Sequence, residues 1–151
     1  MKKLFFSLLV LALVVPGPAL ALYQANSSAT VVVGQRVLDY SFGVAVGNLP
    51  NQGDYVDSLK GPSDVFFDGT RLFVADYNNS RVLIYNSIPE NNGVAADVVI
   101  GQPELHYSNK ANQGGSVGAN TLYGPSSVFS DGTKLFIADT RNNRVLIYNS
   151  I

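Results

Sequence analysis

Two matching sets of polar side chains recur in the chain: Asp76, Asn79 and Arg81, then Asp139, Asn142 and Arg144 sixty-three residues later. A carboxylate, an amide and a guanidinium at this spacing could hold a ligand, or they could close a tight turn. In the second role the aspartate accepts turn N–H groups, the asparagine tolerates left-handed backbone, and the arginine returns a charge-assisted hydrogen bond. Duplication favours the turn, because repeats solve the same local folding problem each time, whereas catalytic sites are rarely built twice. All six residues are therefore expected to be structural. Nucleophilic chemistry has little to draw on. There is no cysteine and one histidine, His106, and nothing places a serine and an aspartate beside it. Asp54 with Asp57, and Asp97 with Glu104, match no calcium-loop or zinc spacing. Gly114-Gly115-Ser116-Val117-Gly118 lacks the Lys-Ser/Thr ending of a phosphate loop and reads as a flexible linker. No catalytic residue, metal or cofactor is expected, and the chain is expected not to be an enzyme.

The elements that position these residues follow from an internal repeat. Residues 61–88 and 124–151 differ at only seven of 28 positions. A second echo, Val31-Val32-Val33-Gly34-Gln35 against Val98-Val99-Ile100-Gly101-Gln102, precedes or follows them at an offset of 67, so the length difference lies in loops. Within each copy, Pro62 or Pro125 opens a strand where its missing N–H does least harm. Asp68-Gly69 and Asp131-Gly132 then offer the positive φ angles of a tight hairpin. Strands follow at Leu72 to Ala75 and Val82 to Tyr85, and at Leu135 to Ala138 and Val145 to Tyr148, with a fourth at Asp97 to Gln102 and its counterpart at Thr30 to Gln35. The strands are apolar on both sides, which predicts small sheets covered above and below. Four antiparallel strands per repeat, sandwiched between like sheets, predict an all-β fold of β-propeller blades, with about two blades' worth of strands here.

The segments Leu72-Phe73-Val74-Ala75-Asp76-Tyr77-Asn78-Asn79-Ser80-Arg81-Val82-Leu83-Ile84-Tyr85 and Leu135-Phe136-Ile137-Ala138-Asp139-Thr140-Arg141-Asn142-Asn143-Arg144-Val145-Leu146-Ile147-Tyr148 resemble the core of NHL repeats: an apolar pair, V-A-D, x-x-N-x-R and a second apolar strand. The resemblance covers residues 22–151 apart from the loops. It departs from the family where Ser63-Asp64 and Ser126-Ser127 stand in place of a glycine near the start of the first strand. The 63-residue period is also longer than the roughly 40 to 50 residues of common blades. The organisation expected is a signal segment at 1–21, an N-terminal strand and long loop at 22–60, a first blade at 61–102, a long loop at 103–123 and an incomplete second blade at 124–151.

Lys2 and Lys3, the apolar run Leu4 to Val15 and the small-x-small site Ala19-Leu20-Ala21 predict a cleaved secretory signal, and hence a secreted or periplasmic protein. The apolar run is shorter than the roughly 20 residues that cross a bilayer, so no membrane span is expected after cleavage. The remaining chain has eight basic and eleven acidic residues, with Arg36, Lys60, Lys110 and Arg141 offset by Asp39, Asp54, Asp57 and Glu104. That leaves no basic face for nucleic acid, although some proteins resembling this family bind RNA through one.

Antiparallel connectivity puts the long loops at the same end as the Asp-Asn-Arg turns. Tyr55, His106, Tyr107 and Tyr123 lie there among amides and small residues, a mixture suited to a protein or carbohydrate ligand. The expected function is a binding or scaffold module. The resemblance also implies a second possibility, part of a secreted propeller enzyme of lyase or lactonase type, but Asp64 becomes Ser127 in the second copy and neither copy carries a histidine there. Two blades cannot close a ring, since propellers need about four to eight. Closure therefore calls for self-association, with three copies making six blades, or for further repeats in a longer chain.

Overall fold

The computed structural model describes residues 29–34, 58–105 and 111–151. Among these residues are seven β-strands, three short 3-10 segments and no α-helix. Strands β1 (Pro62–Phe67), β2 (Leu72–Asp76), β3 (Arg81–Tyr85) and β4 (Val98–Ile100) form one antiparallel sheet, each strand paired with the next in the chain. Strands β5 (Pro125–Ser130), β6 (Leu135–Asp139) and β7 (Arg144–Tyr148) form a second in the same way. The described chain is all-β, and the two sheets repeat one register: Asp76 opposes Arg81 and Leu72 opposes Tyr85, as Asp139 opposes Arg144 and Leu135 opposes Tyr148.

Local chemistry explains the strand boundaries. Pro62 and Pro125 begin the first strands, and the register shifts just after each, leaving Ser63 and Ser126 as bulged residues. The hairpin turns differ from the expectation in one respect. Only their glycines take positive φ, 100° at Gly69 and 92° at Gly132. The preceding aspartate acts through its side chain instead. Asp68 Oδ1 accepts the amides of Thr70 at 2.9 Å and Arg71 at 2.7 Å, and Asp131 Oδ1 accepts those of Thr133 at 2.9 Å and Lys134 at 2.6 Å. These are Asx turns closing four-residue loops, which need one left-handed residue rather than two.

The sheets stack face to back. Phe66, Phe73, Ala75, Val82 and Ile84 of the first sheet pack on Val128, Leu135, Ile137, Leu146 and Tyr148 of the second, with Leu122 buried between them. Polar bonds at the strand ends hold the alignment. Asp64 Oδ2 accepts from Ser127 Oγ at 2.8 Å and from the Val128 amide at 2.9 Å, Ser63 Oγ donates to the Pro125 carbonyl at 2.9 Å, and Arg71 Nη2 donates to the Gly132 carbonyl at 3.1 Å. Desolvation raises the Asp64 pKa, but the Val128 amide, the Ser127 hydroxyl and the Val65 amide outweigh it, so the carboxyl stays below its ordinary value.

The N-terminal and fourth strands differ from expectation. Residues 30–34 form no strand: the Val32 amide donates to Asn92 Oδ1 at 2.9 Å, and Gly34 turns at φ 87°. A strand needs an adjacent backbone, which β4 finds in β3 and residues 31–33 do not find among the described residues. The fourth strand, expected from Asp97 to Gln102, is confined to Val98–Ile100, after which Gly101 turns away at φ 94° to form a parallel bridge with Thr121. Coverage on both faces holds for the centre of the first sheet, whose second face packs Val74, Leu83, Tyr85 and Ala96 against Val33, Leu59 and Leu105. It fails for the second sheet, where Val145 is 63% and Ile147 56% exposed.

Candidate functional site

The repeated polar triplets bury their aspartates completely, the first triplet its arginine as well. Asp76, Asn79 and Arg81 are fully buried. Asp76 Oδ2 accepts from Asn79 Nδ2 and Arg81 Nε, each at 2.8 Å, and Oδ1 accepts the Lys60 amide at 2.7 Å. Arg81 spends its other nitrogens on the carbonyls of Leu105 and Ser58, both at 2.6 Å. The twin repeats the pattern. Asp139 Oδ2 accepts from Asn142 Nδ2 and Arg144 Nε at 2.8 Å, Oδ1 accepts the Tyr123 amide at 2.7 Å, and Arg144 Nη2 donates to Gly118 and Thr121 carbonyls at 2.8 and 2.6 Å.

The two triplets are clamps, each pinning the segment before a sheet to the turn between that sheet's second and third strands. The expected internal division of labour is corrected accordingly. The aspartates accept a remote amide rather than turn N–H groups, and the left-handed residues are Ser80 and Asn143, both at φ 52°, not Asn79 or Asn142. Burial pushes the Asp76 carboxyl above its ordinary value, against the opposing pull of Arg81 and its hydrogen bonds. A carboxylate so enclosed has no route to a substrate.

The residues flanking the glycine-rich stretch Gly114 to Gly118 are a built element, while Gly115 to Val117 are exposed. Asn112 donates its amide to the Leu122 carbonyl at 2.9 Å and exchanges side-chain bonds with Asn142, while the Gly118 amide donates to Thr121 Oγ1 at 2.8 Å. Left-handed backbone runs through Asn112 and Gln113 into Gly114. Side-chain amides thus replace the strand pairing that a linker lacks.

Outside the clamps, a cluster of different character lies at the turn end of the stack. The Arg141 guanidinium carbon lies 5.0 Å from the ring centroids of both Tyr77 and Tyr123, and its Nε donates to the Tyr77 hydroxyl at 3.1 Å. Tyr77 belongs to the 3-10 turn Tyr77–Asn79 of the first sheet, and Arg141 to its counterpart Thr140–Asn142 in the second. The Arg141 amide donates to the Tyr123 carbonyl at 3.1 Å, fixing Tyr123 alongside. Gly124, at φ 58°, lies beneath the group: a Cβ there would sit 3.0 Å from Arg141 Cδ and 3.1 Å from Tyr77 Cε2. A side chain there would crowd Arg141 and Tyr77 and strain a left-handed backbone, which glycine avoids. Arg141 is exposed and both tyrosines are partly so. The Tyr77 hydroxyl raises the already high Arg141 pKa, so the charge is permanent.

Of the expected ligand-binding residues, Tyr123 falls in this cluster, whereas Tyr55, His106 and Tyr107 lie outside the described residues. The sequence marks Arg141 only as one of the offset loop charges and does not mark Tyr77. A signal existed, because both sit where the two copies differ: Tyr77 matches Thr140, and Arg141 matches Asn78. Tyr123 in turn stands where the first copy has Lys60. Among the described residues no three His, Cys, Asp or Glu side chains come together as a metal site. No helix among them is long and apolar enough to cross a membrane. No family model matches the chain, and no curated protein matches it in sequence.

Proposed function

We propose that the two sheets are blades of an NHL-type β-propeller and that the chain is a secreted binding or scaffold module, taking a protein or carbohydrate ligand at its turn end. The repeated register and the face-to-back stacking support the blade reading. The Tyr77–Arg141–Tyr123 cluster carries the functional one. Positions shared by the two copies build most of the strands, turns and clamps, whereas this partly exposed group joins Tyr77 and Arg141, where the copies diverge, to Tyr123, which replaces the Lys60 that precedes the first copy. Scaffold residues need to recur in every repeat; residues that recognise a particular ligand do not.

The chemistry of the cluster favours an anionic ligand. Tyrosine rings offer flat apolar area at low entropic cost, and a guanidinium presents paired donors to a carboxylate. Titration calorimetry with trigalacturonate, a polyglutamate peptide and neutral maltotriose tests this, using the native protein beside Tyr123→Ala and Arg141→Ala. Binding of at least one acidic probe that both substitutions weaken, at an almost unchanged melting temperature, is the expected result. Lowered melting with binding intact would make the cluster a latch between the sheets and would overturn the proposal, as would no binding to any probe.

A further inference from the structure

The stacking of the two sheets shows what each free face accepts. The outer face of the second sheet presents Phe136, Ala138, Val145 and Ile147, the same residue types in the same register as Phe73, Ala75, Val82 and Ile84 of the first. Val82 is fully buried and Ile84 4% exposed, whereas Val145 is 63% and Ile147 56% exposed. Only cover separates them. What covers the first set is a sheet face built around Val128, Leu135 and Ile137. The equivalent face of the first sheet, Val65, Leu72 and Val74, borders an open depression of about 450 Å³, with Val65 62% and Phe67 44% exposed. Their counterparts Val128 and Ser130 are each 3% exposed. The described chain therefore displays both halves of an interface that it has already assembled once.

A backbone edge is displayed in the same complementary way. Among the described residues β7 has no partner on its far side, where β3 has β4. Residues 31–33 meanwhile sit on the first sheet as β4 sits on the second. A Cβ added at Gly34 would fall within 2.9 Å of three Leu59 side-chain atoms, and one at Gly101 within 2.8 Å of the same three atoms of Leu122. β4 belongs by hydrogen bonding to the sheet before the one that its end contacts. By the same relation, residues 31–33 are placed to serve as the fourth strand of a preceding sheet.

We propose that this occupant is a second copy of the chain, bound head to tail. Val31 to Val33 of one copy extend β7 of another, and the exposed face of the second sheet covers Val65 and Leu72, beside the already buried Val74. The register follows from the internal pairing of Val98 with Ile84 and Ile100 with Val82, so Val31 faces Ile147 and Val33 faces Val145 across the copies. The contact is heterologous, using a different surface on each partner, and it buries apolar faces that a lone chain would leave in water. It does not depend on the ligand proposed for the turn end.

Sedimentation of the purified protein, alone and as variants, tests the assembly. The native protein is expected to sediment at a multiple of the 16.2 kDa chain mass, less any processed N-terminal segment. Val145→Asp and Val65→Asp alter exposed side chains, and circular dichroism checks that each still folds. Each alone is expected to fall to a monomer, and an equimolar mixture to recover a one-to-one dimer that grows no further, since each variant keeps the half that the other has lost. If Val65→Asp still dimerises alone, the contact is symmetric and the proposal fails; a native monomer also overturns it. The chain has no cysteine, so Val31→Cys and Ile147→Cys provide an independent reading. Under mild oxidation the mixed disulfide should form faster than either self-disulfide, and equal rates contradict the strand pairing.

Discussion

Replacing Arg81 by alanine removes three hydrogen bonds at once: one to Asp76 and one each to the carbonyls of Leu105 and Ser58. Both side chains of the ion pair are fully buried, so the substitution leaves Asp76 enclosed without its countercharge. Removing one partner of a buried pair costs about 3–5 kcal/mol, most of it the penalty for the stranded charge. That is a large share of the roughly 5–15 kcal/mol that stabilises a domain. Arg144→Ala makes the same chemical change in the twin clamp, but Arg144 is 24% exposed, so water can reach the vacated position. Its cost is set at about 1–3 kcal/mol, that of a broken charge-assisted bond. With urea slopes of about 1–3 kcal/mol per molar, the Arg81 variant should unfold roughly 2 M earlier than the native protein and the Arg144 variant roughly 1 M earlier. Urea titrations followed by circular dichroism, at one fixed protein concentration so that association cancels, measure both. Equal shifts, or a larger one for Arg144→Ala, would refute the view that burial decides what a clamp is worth.

Two glycines separate backbone strain from crowding. Gly132→Ala meets nothing within 4 Å and should cost only the strain of a left-handed alanine, about 1–2 kcal/mol, whereas Gly101→Ala also drives a methyl into Leu122 and should cost about 1–3 kcal/mol more; equal melting losses contradict this. Acid should destabilise the fold. Desolvation works to raise Asp64, Asp68 and, less, Asp131, but the amide and side-chain donors around each ionised form outweigh it, and all three titrate below their ordinary value. Their stabilising contribution is full above the ordinary carboxylate value of about 4 and is lost as pH falls through the lower folded values. Melting temperatures between about pH 6 and pH 2 should drop in that window, less so for Asp64→Asn, and a flat profile would be inconsistent. Exported protein is expected to begin at Leu22, and an intact mass that retains Met1 to Ala21 would contradict the signal reading.

The repeat made the strands legible because identical apolar runs in a fixed register leave little choice of pairing, and the Asp to Arg bond within each turn followed from spacing alone. The partners of those aspartates did not follow. The amides of Lys60 and Tyr123 reach them from segments whose approach is set by tertiary packing. That an apolar sheet face would stay open was legible from the strand count, because two sheets cannot close a ring; which face was not, since the exposed residues are the same types as those buried in the first sheet. Whether a face is covered depends on the neighbour that stacks on it. The Tyr77–Arg141–Tyr123 group was hidden for the opposite reason. Its members come from both repeats and the segment before the second, so no contiguous stretch shows the motif.

The binding claim is met most directly by resonance mapping in isotopically labelled protein during titration with the acidic probe that binds in calorimetry. The proposal predicts that the Arg141 Nε–H and the amides around Tyr77 and Tyr123 shift first and saturate together, while the buried Arg81 Nε–H stays in place. Shifts centred away from that cluster, or an unmoved Arg141 signal at saturation, would contradict it.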